Sequence, residues 1–350
     1  MAPVFSFLWH LIAAPPAALY SLLMRFRNHL YDIGSKPEIH FEIPIISIGN
    51  LTAGGTGKTP LTEYLINLLI DHKQVAVLSR GYGRQTRGFL LAESTATAAT
   101  IGDEPMQYLV KFGSRITLAV SEDRVIAIPE ILFANPDIEV ILLDDAYQHR
   151  RVGRKLNLLL TSYERPFYSD YVMPRGWLRE PRKGASRADA IVVTKCPPAL
   201  TLQQKEKITA AIGQYAGVNK PVFFTTFHYA APHSFHPEGK KLPEGSRVIL
   251  VAGIAQRGLW EATMQSRFEV VEKYAFPDHY RYSEKDASRL VFACQRQEAA
   301  LLCTEKDMVK LQPLLKKVNA GIQAFFQPIK VVFLEEEEHF KQLVFKAIEL

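Results

Sequence analysis

Three cysteines in 350 residues, Cys196, Cys294 and Cys303, carry none of the paired spacing that holds a metal, so neither a disulfide framework nor a structural zinc module is expected. A reducing compartment suits such a chain. Charge of one sign is also scarce as an excess: 42 basic residues face 36 acidic ones, for a net charge of +6. A surface coated with positive charge for nucleic acid is therefore not indicated, and no nucleic-acid partner is expected. Internal repeats and low-complexity tracts are missing, which with 47% apolar residues excludes a fibrous or disordered protein. Nor is there an unbroken apolar run of the ~20 residues that a membrane span needs. The stretch from Val4 to Met24 comes nearest, but Pro15-Pro16 removes two N–H donors at its middle and divides it into halves. Arg25 and Arg27 follow that stretch instead of preceding it, the reverse of a signal peptide. With Trp9, Tyr20 and Phe26, it reads as two short apolar helices lying at a membrane surface or packed on the protein's own core.

What is present points to an α/β chain. Pro44 to Ile48 is a short buried strand that runs into a glycine-rich loop, and Leu61, Leu65, Leu68 and Leu69 have helical spacing behind it. Further apolar strands are expected at 75–78, 116–120, 140–143, 156–160 and 190–193, separated by helical stretches, which implies a parallel sheet covered on both faces. A turn-rich segment after Tyr229 suggests a boundary, and strands at 247–252 and 300–303 begin a second, smaller α/β unit. The expected organisation is 1–36 as N-terminal apolar helices, 37–225 as a P-loop NTPase-like domain and 226–350 as the smaller domain, with the last helix able to return to the first.

The loop Thr52-Ala53-Gly54-Gly55-Thr56-Gly57-Lys58-Thr59 ends in the Gly-Lys-Thr of a phosphate-binding P-loop and lies between a strand and a helix, where that mechanism needs it. Backbone N–H groups freed by glycine and the helix N-terminus favour phosphate oxygens. Lys58 would reach the β/γ-phosphates of ATP and Thr59 would ligate Mg²⁺. Asp144-Asp145 follow an apolar strand as a metal-holding acid should. Asp103-Glu104, at the start of a helix, form a second acidic pair: an Asp there could accept a hydroxyl proton, though Asp at a helix start is most often an N-cap. His279 lies in a Pro-containing turn, where a histidine is more often structural. Thr194-Lys195 has the look of a guanine-reading motif, but Pro197 stands where that motif needs Asp. The segment 150–187 holds ten basic and three acidic residues, net +7, which suits a local anionic ligand.

Seven segments in order then resemble the tetraacyldisaccharide 4'-kinases of lipid A biosynthesis over essentially the whole chain. They are the loop from Gly49 to Pro60, Leu78-Ser79-Arg80-Gly81-Tyr82-Gly83-Arg84, Gly102-Asp103-Glu104-Pro105, Asp144-Asp145-Ala146-Tyr147-Gln148-His149, Pro174 to Pro181, Phe276-Pro277-Asp278-His279-Tyr280 and Thr304-Glu305-Lys306-Asp307. Ala146-Tyr147 stands where that family usually has Gly-Phe, and Trp177 and Tyr280 also depart from its pattern. The resemblance implies transfer of the ATP γ-phosphate to the 4'-hydroxyl of a tetraacylated glucosamine disaccharide 1-phosphate at the cytoplasmic face of the inner membrane, by a peripheral protein with no obligate protein partner. It implies Asp103 as general base, with His279 assisting across an interdomain cleft, and Lys58 on the phosphates. Thr59, Asp144, Asp145 and Glu104 would lie on the metal side, while Tyr82, Arg124, Gln148, Arg175, Arg179 and Glu180 are the candidates for substrate contacts. The competing readings are a membrane-associated NTPase switch without an acceptor and a nucleotide-binding adaptor. The first gives no work to Asp103 or His279.

Overall fold

The computed structural model describes residues 12–236, 241–255, 257–318 and 321–349. The chain divides into two compact units, one of 1–80, 115–227 and 331–350, the other of 81–114 and 228–330. The second unit is thus discontinuous, unlike the single boundary near 225 expected from the sequence. Its extra piece contains the helix Asp103–Phe112, which packs on the helix Glu305–Lys317 and places Met106 against that unit's core.

In the first unit eight strands lie side by side in the order Ile329–Phe333, Val222–Tyr229, Ala190–Thr194, Leu156–Ser162, Ile45–Asn50, Val140–Asp144, Val75–Ser79, Thr117–Val120. The pairings from Val222–Tyr229 to Thr117–Val120 are all parallel. Every residue of Ile45–Asn50, Val140–Asp144 and Leu156–Ser162 is buried, the outcome for strands covered on both faces and the reason they read as continuous apolar runs. The helix Lys58–Leu69 buries Leu61, Leu65, Ile66 and Leu69, each contributing about 2 kcal/mol by leaving water. Ile45–Asn50 sits at the centre, with sheet growing on either side. Its carboxyl end is a switch point in strand order, where an open α/β sheet has its ligand crevice.

The second unit has a five-stranded sheet in the order Glu269–Ala275, Arg247–Ala252, Ala300–Thr304, Ala324–Gln327, His233–Ser234. Only the last pairing is antiparallel. Glu269–Ala275 and Ala324–Gln327 had no clear signature in the sequence: the first has no fully buried residue, and the second is four residues long.

Of the N-terminal apolar stretch, residues 4–11 lie outside the described residues. The rest enters the helix Ala14–Asp32, and Pro15 and Pro16 occupy its first turn, where a missing N–H costs nothing. The proline pair therefore starts this helix. No helix among the described residues is long and apolar enough to cross a membrane.

Candidate functional site

The strand Ile45–Asn50 delivers the chain into the glycine loop, and the loop is braced by polar side chains. Asn50 Nδ2 donates to Thr56 Oγ1 at 2.7 Å, Thr194 Oγ1 donates to the carbonyl of Thr56 at 2.8 Å, and Lys195 Nζ donates to the carbonyl of Gly55 at 2.7 Å. Thr194 and Lys195, rejected as a guanine reader, thus act as struts beneath the loop. Gly57 caps the following helix with φ +81°, and a Cβ there would lie 3.0 Å from the ring of Phe227, so only glycine fits. Lys58 and Thr59 open that helix.

The neighbouring strand Val140–Asp144 places the two carboxylates differently. Asp144 is buried, 3.5 Å from Ser79 Oγ, and its carbonyl accepts from Arg124 Nη2 at 3.4 Å. Asp145, one residue on, has φ +50° and turns toward Lys58 at 3.4 Å and Arg179 Nη1 at 2.9 and 3.1 Å. Burial pushes the Asp145 carboxyl up, but Lys58 and Arg179 outweigh it and hold it well below the usual carboxylate range. Arg179 arrives there because its backbone pairs with the loop: Thr52 bridges Leu178, Ala53 N donates to Trp177 O and Arg179 N donates to Leu51 O, both at 2.7 Å.

The other expected contact residues of this unit differ in accessibility. Arg124 is buried, and burial lowers its guanidinium to about 10 despite Asp145 and Asp144 nearby. Arg175 lies over the ring of Tyr171 at 4.1 Å. Gln148 Nε2 donates to the carbonyl of Asn50 and to Glu180. Glu180 has no exposed surface, and its carboxylate accepts from Arg187 at 2.7 Å, Asn28 at 2.9 Å and Gln148 at 3.0 Å. It is a buried junction, and a substrate contact from Glu180 is not what the structure supplies.

The second unit holds the other group. Gly102, with φ +95°, is the N-cap of Asp103–Phe112, and no side chain caps that helix. A Cβ on Gly102 would press on the backbone of Gly81 and Tyr82 at 3.0 Å. Asp103 therefore does not act as the cap. Its Oδ2 lies 3.2 Å from His279 Nδ1 and accepts from Lys310 Nζ at 3.1 Å. Burial raises the Asp103 carboxyl, but the His279 hydrogen bond and Lys310 reverse this and leave it below its ordinary value. Asp103 and His279 belong to the same unit, so the expectation that they meet across an interdomain cleft is corrected. The ring of Tyr82 packs on His279 with centroids 4.7 Å apart.

Lys306 and Lys310, one turn apart on Glu305–Lys317, were given no role from the sequence. Lys306 Nζ lies 3.0 Å from Glu104, 3.0 Å from Asp278 and 3.1 Å from His279 Nε2. Burial alone would lower the Lys306 ammonium, yet Glu104 and Asp278 push it above its usual value. Glu104, expected on the metal side, instead has its charge met by this lysine. The available signal was i,i+4 spacing behind an N-capping Thr304, which marks one helix face but not what that face meets.

Among the described residues no cluster of three or more His, Cys, Asp or Glu side chains could hold a metal. The donors on the first unit are instead a hydroxyl and carboxylates, hard oxygen ligands. Such a set fits Mg²⁺, which keeps several waters and takes one or two carboxylates beside substrate phosphates.

Comparison with known proteins gives a consistent result. The family model described as tetraacyldisaccharide-1-P 4'-kinase matches residues 9–349. A tetraacyldisaccharide 4'-kinase of Cytophaga hutchinsonii is 36% identical over 94% of this chain and 93% of its own. One from Bacteroides fragilis is 38% identical over 94% and 90%. Among solved structures, LpxK from Aquifex aeolicus in complex with ATP has a TM-score of 0.74 at 30% identity, covering 96% of this chain and 98% of that one.

Proposed function

The chain belongs to the tetraacyldisaccharide-1-phosphate 4'-kinase family, and on that premise we propose how its residues divide the work of the reaction. The enzyme transfers the γ-phosphate of ATP to the 4'-hydroxyl of a tetraacyl glucosamine disaccharide 1-phosphate. Phosphoryl transfer asks little covalent chemistry of a protein and much positioning and charge neutralisation. The glycine loop from Thr52 to Gly57 offers backbone N–H groups to the phosphates, and Lys58 exchanges its contact with Asp145 for phosphate oxygens. Thr59 and Asp144 would hold Mg²⁺, which when bound draws charge from the β- and γ-oxygens. Asp145, kept ionised between Lys58 and Arg179, orients both cations.

Asp103 takes the proton of the 4'-hydroxyl as the oxygen attacks phosphorus. The observation that carries this reading is that its carboxylate is spent on His279 and Lys310 and not on capping its own helix. A switch without an acceptor leaves that arrangement without work, and the family does not favour it. At neutral pH the depressed carboxyl is already in the basic form.

The acceptor carries four acyl chains, and the helix Ala14–Asp32 supports docking at the cytoplasmic surface of the inner membrane. Leu19, Leu22, Leu23 and Phe26 are each more than half exposed and fall at i, i+3, i+4 and i+7 on one face. The polar residues Tyr20, Arg27 and Asn28 turn inward to Arg179, Gln148 and Glu180. An apolar face turned outward, next to Arg25, is the arrangement of an interfacial helix.

The test follows label from the γ-phosphate of ATP with and without the tetraacyl disaccharide 1-phosphate in detergent. Label entering lipid only with acceptor is expected. ATP turnover that ignores the acceptor would return the switch reading.

A further inference from the structure

We propose that the loop 170–178 and the arginines around it form a second membrane contact, which takes the phosphates of anionic phospholipids and lays Trp177 at the headgroup level. This surface deepens, and rests on, the docking proposed for the helix Ala14–Asp32. The +7 segment 150–187 is left largely unused by phosphoryl transfer, and the structure sorts its ten basic residues. Arg150, Arg151, Lys155, Arg179 and Arg187 each lie 2.7–3.8 Å from a carboxylate. Arg154 is spent on the carbonyls of Ala146 and His149, both at 2.8 Å. The four that remain, Arg165, Arg175, Arg182 and Lys183, have no carboxylate partner among the described residues. The uncompensated charge is therefore concentrated on one short stretch, where it attracts anions.

Three of these cations are set on exposed aromatic rings. Trp177 is 54% exposed and Tyr171 44%, unlike aromatic side chains that fill a core. The Arg165 guanidinium lies 5.1 Å from the Trp177 ring, and those of Arg175 and Arg182 lie 4.1 and 5.3 Å from the Tyr171 ring. Tryptophan and tyrosine collect where a bilayer meets water, with the ring toward the acyl boundary, and arginine beside them meets the phosphates. The loop holds its shape by its own bonds, so little ordering is lost on docking. Asp170 Oδ1 accepts from the backbone N of Tyr171 at 2.7 Å and of Trp177 at 3.3 Å. Leu178 N donates to Tyr171 O at 2.9 Å, and Gly176 leaves no room for a Cβ against Asp170. Tyr20 and Asn28 bond to Arg179 and Glu180, the residues that follow Leu178, so the loop adjoins the helix whose apolar face turns outward.

The test uses the full-length protein with Trp9→Phe and Trp260→Phe, which leaves Trp177 as the single tryptophan of three. Its emission is followed on vesicles of phosphatidylcholine alone and with phosphatidylglycerol added, both carrying brominated acyl chains. A blue shift and strong quenching are expected on the phosphatidylglycerol vesicles, weakened by salt. Arg165→Gln, a change at an exposed position, lowers partitioning to those vesicles about 5-fold and leaves partitioning to phosphatidylcholine unchanged. If the doubly substituted protein does not fold, the difference in emission between the unaltered enzyme and Trp177→Phe reports the same ring. Sedimentation with vesicles while Trp177 stays unquenched overturns the proposal and leaves the helix docking intact, whereas failure to sediment with either vesicle removes both. Equal quenching on the two vesicles overturns the choice of anionic lipid. An emission shift caused by the tetraacyl disaccharide 1-phosphate in neutral detergent, without quenching by brominated lipid, also overturns the proposal and makes this surface a substrate subsite.

Discussion

The hydroxyl of Tyr20 donates to the backbone carbonyl of Arg179 at 2.9 Å. That bond ties the N-terminal helix to the short segment that pairs with the start of the glycine loop and carries the guanidinium on Asp145. A helix laid on a core buries its apolar stripe; this one is held by polar contacts and leaves its apolar stripe outside. The surface that would meet lipid is therefore one helix width from the residues that hold the phosphate-side acid.

Replacing Leu19, Leu23 and Phe26 together by Ser should leave stability almost unchanged, within about 0.5 kcal/mol per site as for other exposed positions. Binding to anionic vesicles should fall sharply, since apolar burial in the interface drives it. Vesicle sedimentation beside urea unfolding checks both. A large loss of stability with unchanged sedimentation would mean that this face packs on protein.

Glu180→Gln removes one charge from a junction that joins Arg187, Gln148 and Asn28. Breaking a buried ion pair leaves the other charge uncompensated and costs about 3–5 kcal/mol. The urea midpoint should drop accordingly. Activity measured well below that midpoint should be nearly kept, because Glu180 holds the frame without facing the reactants.

Asp103→Ala should bind ATP with unchanged affinity by calorimetry and lose on the order of 10²-fold or more in kcat, the usual cost of removing a general base. Unchanged lipid phosphorylation would remove Asp103 from the reaction.

His149 gives the stability a pH dependence of known sign. Burial, with Arg124 beside it, lowers its imidazole from 6.5 to about 4. The unfolded chain takes up this proton near pH 6.5 while the folded chain does not, so the contribution is full above 6.5 and is lost as pH falls toward 4. Its size is up to roughly 3 kcal/mol at 1.36 kcal/mol per unit. His149→Gln should flatten the stability profile between pH 4 and 6.5 in urea titrations at stepped pH. A profile that is equally steep in the variant would place the dependence elsewhere.

Much of the fold was legible because the strands of the first unit are buried on both faces. Such strands must be continuous apolar runs, and those runs were visible at 45–48, 140–143 and 156–160. The glycine loop was legible for a related reason: a chain that folds its backbone around phosphate leaves few residue types admissible at each place. Glu269–Ala275 escaped because no residue in it is fully buried, so its composition carried little pattern.

By itself the sequence determined the central strand, the loop behind it, the acids at the end of the neighbouring strand and, through seven ordered segments, the family. Local chain geometry and burial are written residue by residue, so a reader of residues recovers them. Only the tertiary structure decided that Asp103 faces His279 and Lys310 and leaves its own helix uncapped, that Glu104 belongs to Lys306, and that Glu180 is a buried junction. It also decided that residues 81–114 fold with 228–330. Those facts are pairings between side chains up to 207 positions apart in the chain. A charge in a sequence shows that it needs a partner, and only the folded backbone brings one within hydrogen-bond reach.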